Sequence, residues 1–236
     1  MDVRVIITAA GAGTRFGQEV PKQFVRLGCE SVLGHTIRCF RQCKFITEIA
    51  IVLPPDFISA KDFGFPKIKY VVKGKKTRAE SVYEGLMKIS LRGFSSETVV
   101  LVHDGVRPLI TEQVIQKVAI EAGVHGAAIA ATKVTDTIKE VDARGFICST
   151  LSREHLWKAA TPQGFRMDVL LKSYKKALNE GYLEFATDEA YLAEKAGYPV
   201  FIVEGNPENI KITTPTDLAI AEALLVSEAN ANKAGL

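Results

Sequence analysis

A β-branched run, Val3-Arg4-Val5-Ile6-Ile7, leads directly into a chain of small residues, Thr8-Ala9-Ala10-Gly11-Ala12-Gly13-Thr14, and this junction limits what the rest of the polypeptide can be. The run predicts a buried strand. The residues after it lack bulky side chains, so backbone N–H groups can come close to a ligand. N–H groups converging in such a turn make a concavity that suits phosphate oxygens. Arg15, and Lys22 in Pro21-Lys22-Gln23, add two positive charges to the same loop. The expectation is a phosphate-binding loop, against the plainer alternative of a tight turn with surface cations.

Two familiar glycine loops do not match. Gly11, Gly13 and Gly17 are spaced one residue too widely for the dinucleotide fingerprint G-x-G-x-x-G, and Glu30 precedes a helix instead of ending a second strand. A P-loop closes on Gly-Lys-Ser/Thr, whereas this loop has Gly13-Thr14-Arg15.

At 236 residues, 47% hydrophobic and 24% charged, the chain has the composition of an ordinary globular domain. A net charge of +3 is too small for the basic face of a nucleic-acid binder, so attraction for an anion must be local. No apolar run is long enough to span a bilayer. The chain starts on a strand, which predicts no signal peptide, and four cysteines without a metal-binding pattern suit a reducing, cytoplasmic setting.

Along the chain, periodicity predicts a helix from Ser31 to Cys43, a strand at Glu48–Leu53, a short helix over 59–63 and a strand at Ile68–Val72. Lys73-Gly74-Lys75-Lys76-Thr77 is then a basic loop opening a helix, a place where anions gather, or simply a solvated turn. Thr98–Val102 is uniformly apolar, as a central parallel strand should be, and ends at His103-Asp104-Gly105-Val106-Arg107-Pro108. Open α/β sheets bind ligands beyond the carboxyl ends of their strands. Asp104 is therefore a candidate Mg²⁺ ligand, since this ion takes one or two carboxylates plus substrate phosphates. Its alternative role is turn former. His103 reads as a packed or hydrogen-bonding histidine.

A helix capped by Thr111 and a strand over 126–134 follow. The stretch from Thr135 to Thr150 alternates around Asp142-Ala143-Arg144-Gly145 and predicts a hairpin that needs a packing partner, such as a second subunit. Arg153 and Ala160–Phe165 lead back to the body. Helices are expected over Met167–Asn179 and, capped by Thr187, to Ala196. A late strand spans Pro199–Val203, Asn209–Thr213 is extended, and a last helix runs through Leu225 before a polar tail that frays from Ser227. The expected fold is α/β, a doubly wound, mostly parallel Rossmann-like sheet, as one domain over 1–226 with an inserted β-arm at about 135–153 and a tail at 227–236. Its conspicuous residues, Arg15, Lys22, Asp104, Arg107, Arg153 and Lys211, are one acid among cations. That set suits phosphoryl or nucleotidyl transfer, which needs positioning and charge neutralisation more than covalent help.

With these motifs, and with Arg78-Ala79-x-Ser81, Asp136-Thr137, Thr161-Pro162-Gln163, Thr187-Asp188-Glu189-Ala190 and Asn209-Ile210-Lys211-Ile212-Thr213, the chain resembles the methylerythritol phosphate cytidylyltransferases of the non-mevalonate isoprenoid pathway. The resemblance runs from Val3 to about Leu225 and implies a nucleotidyltransferase that joins CMP from CTP to 2-C-methyl-D-erythritol 4-phosphate, releasing pyrophosphate. It implies that Ala9, Ala10, Gly11, Ala12, Gly13, Gly74, Arg78 and Ser81 hold the nucleotide, with Ser81 at the cytosine. Arg15 and Lys22 would be catalytic and Asp104 would bind Mg²⁺. Asp104, Gly105, Arg107, Thr137, Arg153, Thr161 and Lys211 would hold the sugar phosphate. In the family the arm crosses to a second subunit, so a homodimer is implied, with Thr137 and Arg153 serving the neighbour's site.

Departures from the family pattern are Lys75-Lys76 where an acidic residue is usual, Thr8 for a common Pro, and Gly105-Val106 for Ala-Ala. The alternatives are a sister enzyme acting on ribitol 5-phosphate and a nucleotide-binding regulator without turnover. The set Arg15, Lys22 and Asp104 speaks against the regulator, because sensing needs no transition-state cations.

Overall fold

A computed structural model describes residues 1–11, 16, 20–58 and 65–234, with side chains described as far as residue 227. The elements, in order, are β1 (Asp2–Thr8), β2 (Arg26–Leu27), β3 (Glu30–Ser31), α1 (Val32–Gln42), β4 (Ile46–Leu53), β5 (Ile68–Lys73), α2 (Arg78–Ser90), β6 (Thr98–Asp104), α3 (Glu112–His125), β7 (Ala127–Lys133), β8 (Lys139–Val141), β9 (Ile147–Thr150), β10 (Trp157–Arg166), α4 (Met167–Glu180), α5 (Glu189–Ala196), β11 (Phe201–Glu204) and α6 (Pro215–Ala234).

Seven strands form one sheet in the order β11-β7-β10-β6-β1-β4-β5. β1 pairs in parallel with β4 and β6, and β4 with β5, while β10 runs antiparallel between β6 and β7. The central strands are buried on both sides, which is why Val5–Ile7 and Val99–Val102 are apolar without alternation. One face carries Val5, Ile7 and Leu101 against Leu33, Ile37 and Phe40 of α1 and Ile115 and Val118 of α3. The other carries Ile6, Val52, Val100 and Val102 against Val82 and Leu86 of α2 and Leu170 and Tyr174 of α4. Thr8 is in register with both Val52 and Asp104, so the loops after β1, β4 and β6 leave the same edge.

Several elements differ from expectation. β10 reads as loop in the sequence because Pro162 and Gly164 are strand breakers. In the sheet, the register between β10 and β7 shifts between Ala159 and Gln163, and this bulge absorbs Pro162. Gly164 belongs in the strand because a Cβ there would lie 2.9 Å from Leu101 Cδ2 and 3.0 Å from both Ala122 Cβ and Val118 Cγ1. The cap of α5 is Asp188, not Thr187, since Asp188 Oδ1 accepts from the Tyr191 N–H at 2.9 Å. α6 does not stop at Leu225 and fray from Ser227 but continues to Ala234. The hairpin is shorter than expected, β8 and β9 joined through 142–146, and Val141, Phe146 and Ile147 are exposed on it. The short helix expected over 59–63 lies outside the described residues. Among them, no helix is long and apolar enough to cross a membrane.

Candidate active site

The loops leaving the carboxyl ends of β1, β5 and β6 enclose a cleft of about 440 Å³, lined by Ala9, Ala10, Gly11, Lys22, Arg78, Ser81, Asp104 and Lys211 among others. Local chemistry holds each wall. The Gln23 amide, 1% exposed, donates to the carbonyls of Ala9 at 2.8 Å and Gly11 at 3.1 Å, fastening the start of the loop to the turn that carries Lys22. The third member of Pro-Lys-Gln is thus the anchor, a role the sequence reading left unassigned. Across the cleft, Gly74 donates to Leu53 O at 2.8 Å and packs so tightly that a Cβ would fall 2.2 Å from Ala10 Cβ. Gly105 donates to Thr8 O at 2.8 Å, with room for no side chain beside Ala9.

Ser81 faces the cleft with one hydrogen-bonding sense left. Its hydroxyl donates to Thr77 O at 2.8 Å and accepts from the Lys75 N–H at 2.9 Å. A hydroxyl has one proton and two lone pairs, so toward a ligand Ser81 can only accept. α2 begins on a capping box between Thr77 and Glu80, which fixes that turn. Lys75 and Lys76 flank it at the cleft, Lys75 reaching Glu84 at 3.3 Å.

Asp104 is the only carboxylate among the described residues lining the cleft. It is 5% exposed and meets three cations: Arg78 Nε at 3.2 Å from Oδ1, and Arg107 Nε at 3.3 Å and Lys211 Nζ at 3.0 Å from Oδ2. Burial alone would raise its pKa, but Arg78, then Lys211 and Arg107, outweigh burial and hold the carboxyl far below the usual range. Arg107 is held from behind by a bond from Nη1 to Asn209 O, 2.9 Å. Among the described residues no three His, Cys, Asp or Glu side chains gather as a metal cage. A divalent ion here would need ligand phosphates beside Asp104.

Behind Asp104 lies a buried relay. His103 Nε2 is 3.1 Å from Arg107 O, an acceptor, so Nε2 carries the proton and Nδ1 accepts from the Thr161 hydroxyl at 3.0 Å. The same hydroxyl accepts from the Asp104 N–H at 3.1 Å. Burial pushes His103 down to about 4, so it is a neutral structural imidazole at physiological pH. Thr161 is buried beneath the acid, not on the cleft wall. Thr137 and Arg153 are exposed beside the hairpin, Arg153 bonding to Thr135 O, and neither lines the cleft. Ala12, Gly13 and Arg15 lie outside the described residues.

Comparison with known proteins decides among the chemistries this cleft allows. The model of the IspD family, 2-C-methyl-D-erythritol 4-phosphate cytidylyltransferase, matches residues 3–227. The chain belongs to this family. Members with that name from Pelotomaculum thermopropionicum and Syntrophus aciditrophicus are 39% and 40% identical, covering 94% and 96% of this chain and 94% and 97% of theirs. The crystal structure of the Francisella tularensis cytidylyltransferase superposes with a TM-score of 0.80 at 30% identity, over 94% of this chain and 98% of that one. The cytidylyltransferase from Thermus thermophilus gives 0.77 at 33%, over 95% and 98%. The mostly parallel sheet with helices on both faces is thus the fold of the IspD structures, with β10 as its antiparallel member.

Two residues to which the sequence assigns no part lie behind the cleft wall. Glu189, fully buried, grips Arg78, and Gln163 holds the start of α5. Both lie in motifs visible in the sequence, but nothing local to them signals which partner they meet.

Proposed function

We propose that the protein transfers CMP from CTP to 2-C-methyl-D-erythritol 4-phosphate. An oxygen of the acceptor phosphate attacks the α-phosphorus of CTP, the bond from that phosphorus to the bridging oxygen breaks, and pyrophosphate leaves with the electron pair. The observation that carries this reading is the composition of the cleft: one ionised acid, Asp104, ringed by Arg78, Arg107 and Lys211, at the edge that also presents Lys22. Such a ring neutralises phosphate charge and offers no nucleophile of its own. Lys22, with Arg15, would stabilise the charge that grows on the α-phosphate and leaving group. Ser81, restricted to accepting, suits the exocyclic amine of cytosine and not the carbonyl that uracil has there.

Asp104 fits a Mg²⁺ site because it stays anionic and borders the cleft. With the triphosphate, the ion would supply further neutralisation of phosphate charge. Arg107 and Lys211 would turn toward the acceptor phosphate. Thr137 and Arg153, remote from their own cleft, would reach the neighbouring cleft in a cytoplasmic homodimer joined through the exposed hairpin. The test is pyrophosphate release with CTP, UTP, ATP and GTP against two acceptors, 2-C-methyl-D-erythritol 4-phosphate and ribitol 5-phosphate. We expect CTP alone to turn over, with kcat/KM for the branched acceptor at least about 10²-fold higher, the lower end of what one misplaced contact produces. Equal or reversed acceptor ratios would overturn the acceptor assignment, and no release with CTP would overturn the chemistry.

A further inference from the structure

We infer that Glu189 is a positioning residue of this reaction, setting Arg78 and, through it, the carboxylate of Asp104 at the cleft. The inference rests on the proposed nucleotidyl transfer. Glu189 is 0% exposed, and both its carboxylate oxygens lie 2.8 Å from Arg78 Nη1. The Nε of the same guanidinium is 3.2 Å from Asp104 Oδ1. One rigid, planar cation is therefore stretched between two carboxylates, one at the back of the wall and one at the cleft. Burial would lower the Arg78 pKa, but Glu189 and Asp104 more than reverse this and keep it charged. The Tyr174 hydroxyl donates to Glu189 Oε1 at 3.2 Å.

Packing alone does not call for such a residue. Withdrawing the Glu189 charge fully from water, and Arg78 in part, is costly, and well-packed apolar side chains of similar volume often serve stability equally well. What the ion pair supplies here is geometry, and β10 sets it from both ends. Thr161 accepts from the Asp104 N–H, and two residues on, Gln163 Oε1 accepts from the N–H groups of Glu189 and Ala190 at 3.1 and 3.0 Å. Gln163 Nε2 donates to Asp188 Oδ2 at 2.8 Å, so the whole first turn of α5 is pinned to the bulged strand. The first turn of a helix also favours a carboxylate. When phosphates or a metal ion compete for Asp104, Arg78 keeps its two bonds to Glu189 and so its place in the wall.

The experiment measures kcat and KM for CTP in Glu189→Gln, Glu189→Asp, Arg78→Lys and the double variant Glu189→Gln/Arg78→Lys, at a temperature where melting curves show each to be folded. Glu189→Gln keeps the shape and removes the charge. We expect kcat/KM to fall on the order of 10–100-fold, as misplacement of supporting groups does. The double variant should fall no further than the worse single one, because both substitutions break one unit. Glu189→Asp, which keeps the charge on a shorter stem, should recover part of the loss. Multiplying effects in the double variant would mean that Glu189 only supports the fold, and would overturn the inference. So would wild-type kcat/KM in Glu189→Gln. If Glu189→Gln does not fold, Glu189→Asp decides in its place, alone and with Arg78→Lys. A loss that does not multiply with that of Arg78→Lys then supports the inference, and an unchanged kcat/KM or multiplying losses overturn it. Failure of the wild-type protein to release pyrophosphate from CTP would instead strike the functional reading itself.

Discussion

Replacing Thr161 by Val tests the relay behind Asp104 most directly. Val keeps the volume and branching of Thr and removes only the hydroxyl. That hydroxyl has two partners, His103 Nδ1 at 3.0 Å and the Asp104 N–H at 3.1 Å, and all three residues are buried. Leaving a buried donor or acceptor unpaired costs about 1–3 kcal/mol, so two orphaned groups cost about 2–6 kcal/mol together. Thr161→Ser keeps the hydroxyl and loses one methyl, about 1 kcal/mol. Urea unfolding, with the slope checked for constancy, gives both differences. The Val variant should also lose turnover, because the backbone carrying Asp104 is no longer held, whereas the Ser variant should stay close to wild type. Thr161→Val no less stable than Thr161→Ser would refute the relay and leave direct contact with substrate as the role of the hydroxyl.

Three further outcomes are expected. Gly74→Ala places a Cβ 2.2 Å from Ala10 Cβ, so the two walls must part; overpacking of this kind costs about 1–3 kcal/mol, and the KM for CTP should rise, with Ala10→Gly restoring it in the double variant. An unchanged KM in Gly74→Ala would show the walls to be pliant. Asp217 accepts from the Thr213 and Thr214 N–H groups at the start of α6, next to Lys211; its slight burial raises its pKa, but these bonds and those of the hydroxyls outweigh that and hold it at about 2 against an ordinary 3.8. The stability it contributes is complete above the unfolded value and lost as pH falls from 3.8 through about 2, so the difference in Tm between wild type and Asp217→Asn should narrow across that window, and a constant difference would remove the cap from the account. Deleting residues 136–150 should give a monomer with little activity in sedimentation and turnover assays, and an active monomer would rule out a shared site.

Fold class and the strand-end residues that line the cleft were legible because the signals involved are local. A β-branched run that needs burial on both faces marks β1 and β6 in any context. The small residues after β1, the glycine after β5 and the acid at the end of β6 lie at strand ends, where a parallel sheet gathers its loops. Ser31 and Thr111 cap α1 and α3 within three residues of themselves, so those boundaries follow from chemistry a few positions wide. Other features depended on which distant segments became neighbours. β10 carries a proline and a glycine that oppose strand formation locally, and only its place between β6 and β7, with a bulge for one and close packing for the other, makes it a strand. Thr161 could be assigned to the site from its motif, but that it lies beneath Asp104 depends on this bulge. Arg78 and Glu189 are 111 residues apart, and each alone reads as an ordinary charge in the first turn of a helix. Propensity and periodicity act over a few residues of chain, whereas an ion pair between α2 and α5 exists only after long-range packing has buried Glu189 and brought the cleft-lining Arg78 onto it.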